Sequence, residues 1–163
     1  VEAAIALGLH NFMLSFTEGA PDIGELIKLD PQAQIVAKIE SKRGLDFVTS
    51  DYAAMREYVR LMAARDDLYI NMGVNKAAIL DATELIIRED PTAIAASRIL
   101  TSLEDSETVA MGDISDLRFL SILGFHSFML SDGLCFSQQG FSRAMNTYRN
   151  YEEYLARKNG NVT

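Results

Sequence analysis

Two stretches of this sequence are nearly the same: residues 7–15 read LGLHNFMLS and residues 123–131 read LGFHSFMLS. Seven of the nine positions agree, at an offset of 116 residues. A match this dense within one chain of 163 residues indicates a repeated structural unit. Each copy turns on a glycine and enters a short apolar run that ends in small or polar residues. This pattern predicts a buried strand whose carboxyl end opens into a loop.

Three more short apolar runs lie between the two copies, and helix-like stretches separate them. Residues 51–65 read as an amphipathic helix, residues 94–103 as a further helix, and residues 139–157 as a long final helix. Apolar strands that alternate with helices predict an α/β fold with parallel strands. The five predicted strands cover about residues 11–16, 34–40, 67–72, 107–112 and 126–131.

Two equivalent strands separated by four strand–helix units are typical of a (β/α)8 TIM barrel. Five strands cannot close such a barrel, so the barrel is expected to be incomplete within this chain. Residues 1–158 would form its C-terminal part, and residues 159–163 a loose tail. The first residues read as part of a helix, which favours three further strands upstream, with strands supplied by another chain or an open sheet as the alternatives. Exposed strand edges predict an oligomer or completion by additional chain segments.

The charge balance narrows the function classes. Fifteen Lys and Arg face 23 Asp and Glu, which gives a formal charge of −8 and a pI near 4.7. This argues against a nucleic-acid partner, because few phosphates could be neutralised. The sequence has no apolar run of 18 residues, so no membrane span is expected. A single cysteine, Cys135, allows no intrachain disulfide and favours the cytoplasm.

The carboxyl ends of the predicted strands hold the candidate site, since barrel chemistry is found there. Lys38 and Glu40 are two residues apart and are expected on the same side of their strand. Such a pair could orient a small carboxylate or phosphate ligand together with Mg²⁺. It could equally be an internal salt bridge of the barrel interior. His10 and His126 fall just before their strands and are interpreted as structural.

The order of these segments resembles the pyruvate kinase family. The run QIVAKIESKRG (residues 34–44) resembles that family's K-I-E-N segment with its nearby glycine, and HNFMLSF (residues 10–16) resembles its strand ending in a Ser-Phe pair. GFHSFMLSDG (residues 124–133) resembles its last barrel strand, G-A-D-x-x-M-L-S-G-E-T, and QQGFSRAM (residues 138–145) resembles the helix start that follows it. The resemblance covers nearly the whole chain as strands four to eight of a phosphoenolpyruvate/pyruvate barrel.

The resemblance implies roles for individual residues. Lys38 would stabilise charge on the transferred phosphoryl group, and Glu40 would be a ligand of the essential divalent metal. The backbone N–H of Gly73 would help to hold the substrate carboxylate, and Ser131 would fall near the end of strand eight.

Other motifs of the family are replaced in this alignment. The carboxylate of the family's A-R-G-D-L-G loop falls on Val74 and its arginine on Met72, while the threonine of A-T-Q falls near Gly112. The arginine after the Ser-Phe pair becomes Thr17 or Glu18, and G-E-T becomes residues 132–134. Phosphoryl transfer depends on positioned positive charge and metal, so these losses predict poor kinase activity.

Three functional hypotheses follow. The first is a diverged pyruvate kinase-like barrel that lacks kinase activity and serves as a structural or interaction module. The second is a Mg²⁺-dependent lyase or aldolase of the phosphoenolpyruvate/pyruvate type, in which Glu40 and Asp113 share the metal, Lys38 neutralises an enolate oxygen, and Asp132 or Glu18 is the base. The third is a fragment of an ordinary pyruvate kinase.

Overall fold

The computed structural model describes residues 1–158 and 160, which form two compact units. The first unit contains Val1–Ala96 and Leu123–Phe128. The second contains Ser97–Ile122 and the described residues from Met129 onward. The predicted tail, residues 159–163, lies outside the described residues apart from Gly160.

At least one helix separates each strand from the next along the chain, as the α/β prediction requires. In chain order they are α1 (Glu2–Ala6), β1 (Asn11–Leu14), α2 (Ala20–Leu29), β2 (Gln34–Ile39), α3 (Lys42–Ser50), β3 (Val59–Ala64), α4 (Arg65–Asn71), α5 (Ala78–Glu89), β4 (Ile94–Ala96), α6 (Met111–Leu123), β5 (Ser127–Met129), α7 (Asp132–Cys135) and α8 (Gln138–Lys158). Two 3-10 turns add Tyr52–Ala54 and Thr101–Glu104.

The five strands form one parallel sheet in the order β1-β2-β3-β4-β5. The first three pairings have the registers Phe12↔Ile35, Ile35↔Val59 and Ala63↔Ala95. The sheet therefore grows by one strand at a time in one direction, with no reversal of strand order. This confirms the α/β class with five parallel strands, while closure into an eight-stranded barrel stays a prediction.

The two faces of β2 differ in burial. Ile35, Ala37 and Ile39 are at most 2% exposed, whereas the alternate residues Val36 and Lys38 are only partly buried. Side chains alternate between the two faces of a strand, so one face of β2 forms the core and the other stays more open. On β3, Val59, Leu61 and Ala63 continue the buried face, on which α5 packs.

Both copies of the nine-residue repeat form a turn and a strand as predicted, but neither strand is buried: β1 alternates between exposed and partly buried residues, and the three residues of β5 are partly buried. Gly8 has φ +76° and Gly124 has φ +107°, so each glycine makes the left-handed turn before its strand. β1 and β5 lie within the predicted ranges, at the two edges of the sheet. The final helix, α8, also agrees with the predicted range 139–157.

The third strand was assigned to the wrong segment. Residues 67–72 fall in α4 and the residue that caps it, and the strand is β3, within the stretch that reads as a helix. β3 is almost continuously apolar, as suits a strand covered on both sides. Its single charge, Arg60, and the charges before it imitate helical amphipathicity.

The fourth strand was also misplaced. Residues 107–112 form a loop and the start of α6, whereas the strand is β4, inside the stretch 94–103 predicted as helix. The sequence of β4 is Ile-Ala-Ala, and alanine favours helices over strands in isolation. Ala95 and Ala96 are at most 1% exposed, so packing outweighs that preference.

The second unit is mainly helical. α7, α8 and the 3-10 turn Thr101–Glu104 pack on one another. The hydroxyl of Tyr151 on α8 lies 3.0 Å from the Ser121 hydroxyl on α6, which joins these two helices. Within the described residues, no helix combines the length and the apolar character that crossing a membrane requires.

Candidate functional site

A buried ion pair lies at the carboxyl end of β2. The Nζ atom of Lys38 is 2.7 Å from Oε1 of Glu40, and the two side chains are 19% and 2% exposed. The prediction that both face the same side of the strand is confirmed. Burying a carboxylate is costly unless charge and hydrogen bonds compensate it. The Glu40 carboxylate is thus fixed in place beside a lysine.

The loop after β1 supplies the other partners of this pair. The backbone N–H of Phe16 donates to Oε2 of Glu40, and Nζ of Lys38 lies 3.4 Å from the Ser15 hydroxyl. Phe16 holds a left-handed backbone conformation, φ +49°, that non-glycine residues rarely adopt. Strain of this kind concentrates at functional sites. The loop therefore adopts an unfavourable backbone conformation at Phe16, and in this conformation the Phe16 N–H reaches Glu40.

Glu18, one of the two predicted bases, has a structural position instead. Its carboxylate accepts a 2.6 Å hydrogen bond from the Ser41 hydroxyl and lies 3.2 Å from the guanidinium of Arg43. Ser41 in turn caps the start of α3 through the N–H of Gly44. Glu18 thereby ties the first loop to α3. The Ser41 hydroxyl and the Arg43 guanidinium already occupy the carboxylate oxygens that a base would use to accept a proton.

The residues after β3 change the interpretation of the site. β3 ends at Ala64, and the chain continues Arg65-Asp66-Asp67 into the first turn of α4. Acidic residues are favourable in the first turn of a helix. The alignment that assigned the second carboxylate to Val74 relied on a strand at 67–72. Val74 is fully exposed beyond α4, so the carboxylates at this strand end are Asp66 and Asp67.

Asn71, which sequence reasoning missed, connects the two acidic segments. Its Nδ2 atom donates to the backbone carbonyl of Glu40 at 2.9 Å and to that of Asp67 at 3.0 Å. The two carbonyl oxygens can be no farther apart than these two bonds laid end to end, about 6 Å. The segments that carry Glu40 and Asp67 are therefore neighbours.

Gly73 has a different setting from the predicted one. It follows the capping residue of α4, Met72, with φ +76°, and so ends a helix instead of beginning one after a strand. A Cβ at this position would lie 3.4 Å from Nζ of Lys42. Gly73 does not lie at a helix N-terminus, the usual setting for a backbone anion site, because α5 begins only at Ala78.

Asp113 and Ser131 lie in the second unit. Asp113 is in the first turn of α6, not after a strand, and its Oδ2 accepts bonds from the backbone N–H and the hydroxyl of Ser102 at 3.0 and 2.6 Å. Ser131 follows β5 as predicted. Its hydroxyl donates to Glu104 and accepts from the N–H of Leu134, so it caps α7. Both side chains thus have local structural partners.

Backbone strain also follows β4. Ser97, Arg98 and Leu100 have φ of +69°, +60° and +56°. Together with Phe16 they are the non-glycine residues with positive φ among those the structure describes. All four follow the carboxyl ends of strands, the end at which α/β folds place their chemistry.

Glu40 and Asp67 are the residues at this end of the sheet that could hold a divalent metal together with oxygens of a ligand. Mg²⁺ is usually bound through one or two carboxylates, several waters and oxygens of the ligand. Glu40 and Asp67 supply two carboxylates at neighbouring strand ends. Among the described residues there is no group of three or more His, Cys, Asp or Glu side chains that could hold a metal by itself.

A cleft lies at the amino ends of β1, β2 and β3, the opposite end of these strands from the Lys38–Glu40 pair. It measures about 570 Å³, and Met13, Val36, Arg60 and Tyr58 line it among other residues. Arg60 donates there to the carbonyl of Thr92 and the hydroxyl of Ser127. Nearby, Nδ1 of His10 lies 2.8 Å from Oδ2 of Asp30, and this hydrogen bond holds the pKa of Asp30 below its usual value. His10 is therefore structural, as predicted.

Comparison with known proteins adds no family to this description. No family model matches the chain, and no curated protein matches it.

Proposed function

We propose that this chain carries the metal- and carboxylate-binding part of a phosphoenolpyruvate/pyruvate-type barrel enzyme, and that it stabilises the enolate of a small 2-oxo acid in a lyase or aldolase reaction. The observation that carries the proposal is the buried Lys38–Glu40 pair at a strand end, beside the segment that bears Asp67.

The strand order supports the barrel. Parallel strands joined by right-handed crossovers place all their helices on one face when each new strand is added on the same side. The order β1 to β5 follows this scheme, and an open sheet wound in both directions would reverse its order. Continued addition of strands in the same sense closes a barrel around the face that holds Val36, Lys38 and Arg60.

The corrected position of β3 supports retention of the metal ligands. The chain reads Ala64-Arg65-Asp66-Asp67-Leu68 at the end of β3, which is similar to the family's A-R-G-D-L-G loop. In this register Asp67, not Val74, takes the place of the second metal carboxylate. Asp67 therefore replaces Asp113 as the proposed partner of Glu40.

Each side chain then has a role toward the ligand. Glu40 and Asp67 would hold Mg²⁺, which when bound supplies Lewis-acid polarisation of a carbonyl oxygen. The ammonium group of Lys38, which is still 19% exposed, would donate a hydrogen bond to the oxygen on which negative charge develops. Such a preorganised donor in a poorly solvated site lowers the barrier to enolate formation.

Phosphoryl transfer is less well supported than enolate chemistry. The residues after the Ser-Phe pair are Thr17, which is fully buried, and Glu18, which is bound to Ser41 and Arg43. Neither supplies the positive charge of the arginine that the family has there. After β4 the chain reads Ala96-Ser97-Arg98 where the family has A-T-Q.

A calorimetric titration tests the proposal. The full chain, with Mg²⁺ present, should bind oxalate, a planar mimic of the pyruvate enolate, and binding should be lost without Mg²⁺. Glu40→Gln should abolish binding, while Glu25→Gln, the same change at an exposed position of α2, should leave it intact. No binding at millimolar oxalate and Mg²⁺ would overturn the proposal.

One observation favours the second candidate function, an interaction module without turnover. Four apolar side chains in β1 and in the turns before and after it, at the edge of the sheet, are at least half exposed: Leu7, Leu9, Met13 and Phe16. Exposed apolar side chains beside an unpaired strand edge are typical of a surface that another chain covers. Light scattering that shows a stable oligomer, together with no oxalate binding, would favour this candidate.

A further inference from the structure

Asn71 is the last residue of α4, and its amide makes hydrogen bonds to two backbone carbonyls from different segments. We propose that Asn71 is a positioning residue that sets the spacing between the carboxylates of Glu40 and Asp67 and thereby the affinity for a divalent cation. The inference rests on the proposed function, because it takes these two carboxylates as the metal ligands.

The sheet itself does not fix this spacing. The ladder between β2 and β3 has Ile39↔Ala63 as its last pair. Glu40 lies one residue beyond this pair, and Asp67 four residues beyond it on the other chain segment. The carbonyl of Glu40, just past the ladder, accepts a hydrogen bond from the Asn71 side chain. The amide thus replaces the ladder at the point where the strands end.

The chemistry of the asparagine amide suits this role. Its NH2 group has two hydrogens, and each carbonyl receives one of them. The bond to Asp67 lies within α4 and orients the amide, and the bond to Glu40 joins α4 to the end of β2. An aspartate at this position would have no donor and would set its charge against two carbonyl oxygens.

The side chains of Glu40 and Asp67 inherit this constraint from their backbones. Glu40 is further held by Lys38 and by the N–H of Phe16, so its carboxylate has little freedom of its own. Groups that orient metal ligands in this way change affinity by about 10- to 100-fold when they are removed. The same magnitude is expected for Asn71, even though it does not contact the ion.

Calorimetry with Mn²⁺ as the probe for Mg²⁺, at saturating oxalate, measures this effect on the full chain. Asn71→Ala should weaken Mn²⁺ binding by about tenfold or more. Asn71→Gln, which keeps the amide donors on a longer side chain, should show a smaller loss. The matched control is Asn146→Ala, which removes an exposed asparagine of α8 without a hydrogen bond among the described residues and should bind as the parent chain does. Circular dichroism melting of each variant confirms that it is folded at the temperature of the titration.

Each outcome has a separate meaning. If the parent chain binds Mn²⁺ and Asn71→Ala binds it equally well while folded, the positioning role is overturned and the proposed function stands. If the parent chain does not bind Mn²⁺ at all, the proposed function fails and the inference fails with it. If Asn71→Ala does not fold, Asn71→Gln decides: unchanged affinity in that variant, despite its displaced amide, also overturns the positioning role.

Discussion

Arg60 on β3 donates a hydrogen bond to the hydroxyl of Ser127 on β5, although β4 lies between these strands in the sheet. Second-neighbour strands are roughly 10 Å apart in a flat sheet. The same guanidinium also donates to the carbonyl of Thr92, just before β4. One side chain thus fastens β3 both to β5 and to the segment that leads into β4.

We expect Arg60→Ala to destabilise the first unit by about 1–2 kcal/mol, because it leaves the partly buried hydroxyl of Ser127 without its donor, whereas water can replace the donor at the exposed carbonyl of Thr92. Urea unfolding followed by circular dichroism measures this loss. The control is Arg56→Ala, whose guanidinium makes an exposed cation–π contact with Tyr52 at 5.7 Å and should matter by well under about 1 kcal/mol. Equal effects of the two substitutions would contradict the fastening role.

The hydrogen bond between His10 and Asp30 makes the stability of the fold depend on pH in the acid range. The hydrogen bond from His10, with a weaker one from the N–H of Gln32, holds the pKa of Asp30 below its usual 3.8. A carboxyl whose pKa is lower in the folded state stabilises the fold above its unfolded pKa, and this contribution is lost as the pH falls through the folded pKa. His10→Ala should therefore lower stability at pH 7 and lose less of it than the parent chain between pH 5 and pH 2.

The repeat provides the control for this prediction. His126 has the same place in the second copy but is exposed and has no hydrogen bond among the described residues. His126→Ala should leave the acid part of the stability profile unchanged when unfolding by urea is measured across pH. A flatter profile in this variant, or an unchanged one in His10→Ala, would show that the bond to Asp30 does not cause the dependence.

Three of the five strands could be predicted because their signals are local. β1 and β5 lie in the repeat, and β2 is a β-branched run between a proline and a polar turn. β4 was missed although the sequence carries a signal for it. Asp-Pro-Gln-Ala at residues 30–33 and Asp-Pro-Thr-Ala at residues 90–93 are a second internal match.

This second match has the same structure in both places. Oδ1 of Asp30 accepts from the N–H two residues on at 3.0 Å, and Oδ1 of Asp90 does so at 2.9 Å. Each aspartate ends a helix, and β2 and β4 each begin four residues after it. A comparison of these turns would have located β4 in spite of its alanines, and β3 would then have followed from the spacing.

The candidate site was predictable only in part, for a physical reason. The alternation of Lys38 and Glu40 follows from strand geometry, so their shared side could be read from the sequence. The contacts of Phe16 and Asn71 depend on where three segments meet in space. The second carboxylate was missed because the predicted third strand lies eight residues beyond the true one, β3. The residues assigned to its carboxyl end were therefore the wrong ones.

Gly44 on α3 marks a close approach of helix and sheet. A Cβ there would lie 3.0 Å from the carbonyl of Thr17 and 3.2 Å from Cγ2 of Ile39. We expect Gly44→Ala to destabilise the chain by about 1–3 kcal/mol through overpacking. Gly24→Ala on α2, where the new methyl group meets open space, should stabilise it by about 0.5–1 kcal/mol because alanine is the better helix former. The two thermal or urea midpoints must move in opposite directions, and a stabilised Gly44→Ala would contradict the packing described.

Substitutions of Phe16 test whether the left-handed loop that presents its N–H to Glu40 is strained. Alanine and glycine both remove the half-exposed ring and keep the N–H, so they differ mainly in backbone preference. At φ +49° an L-residue is disfavoured by about 1–2 kcal/mol. Phe16→Gly should therefore be more stable than Phe16→Ala by about 1 kcal/mol, the reverse of the usual order.

At Leu29, an exposed residue of α2, the same pair of substitutions should show the ordinary preference for alanine. Urea midpoints of the four variants measure both differences. An alanine advantage at both positions would mean that the loop is relaxed, and the N–H of Phe16 would then reach Glu40 without strain.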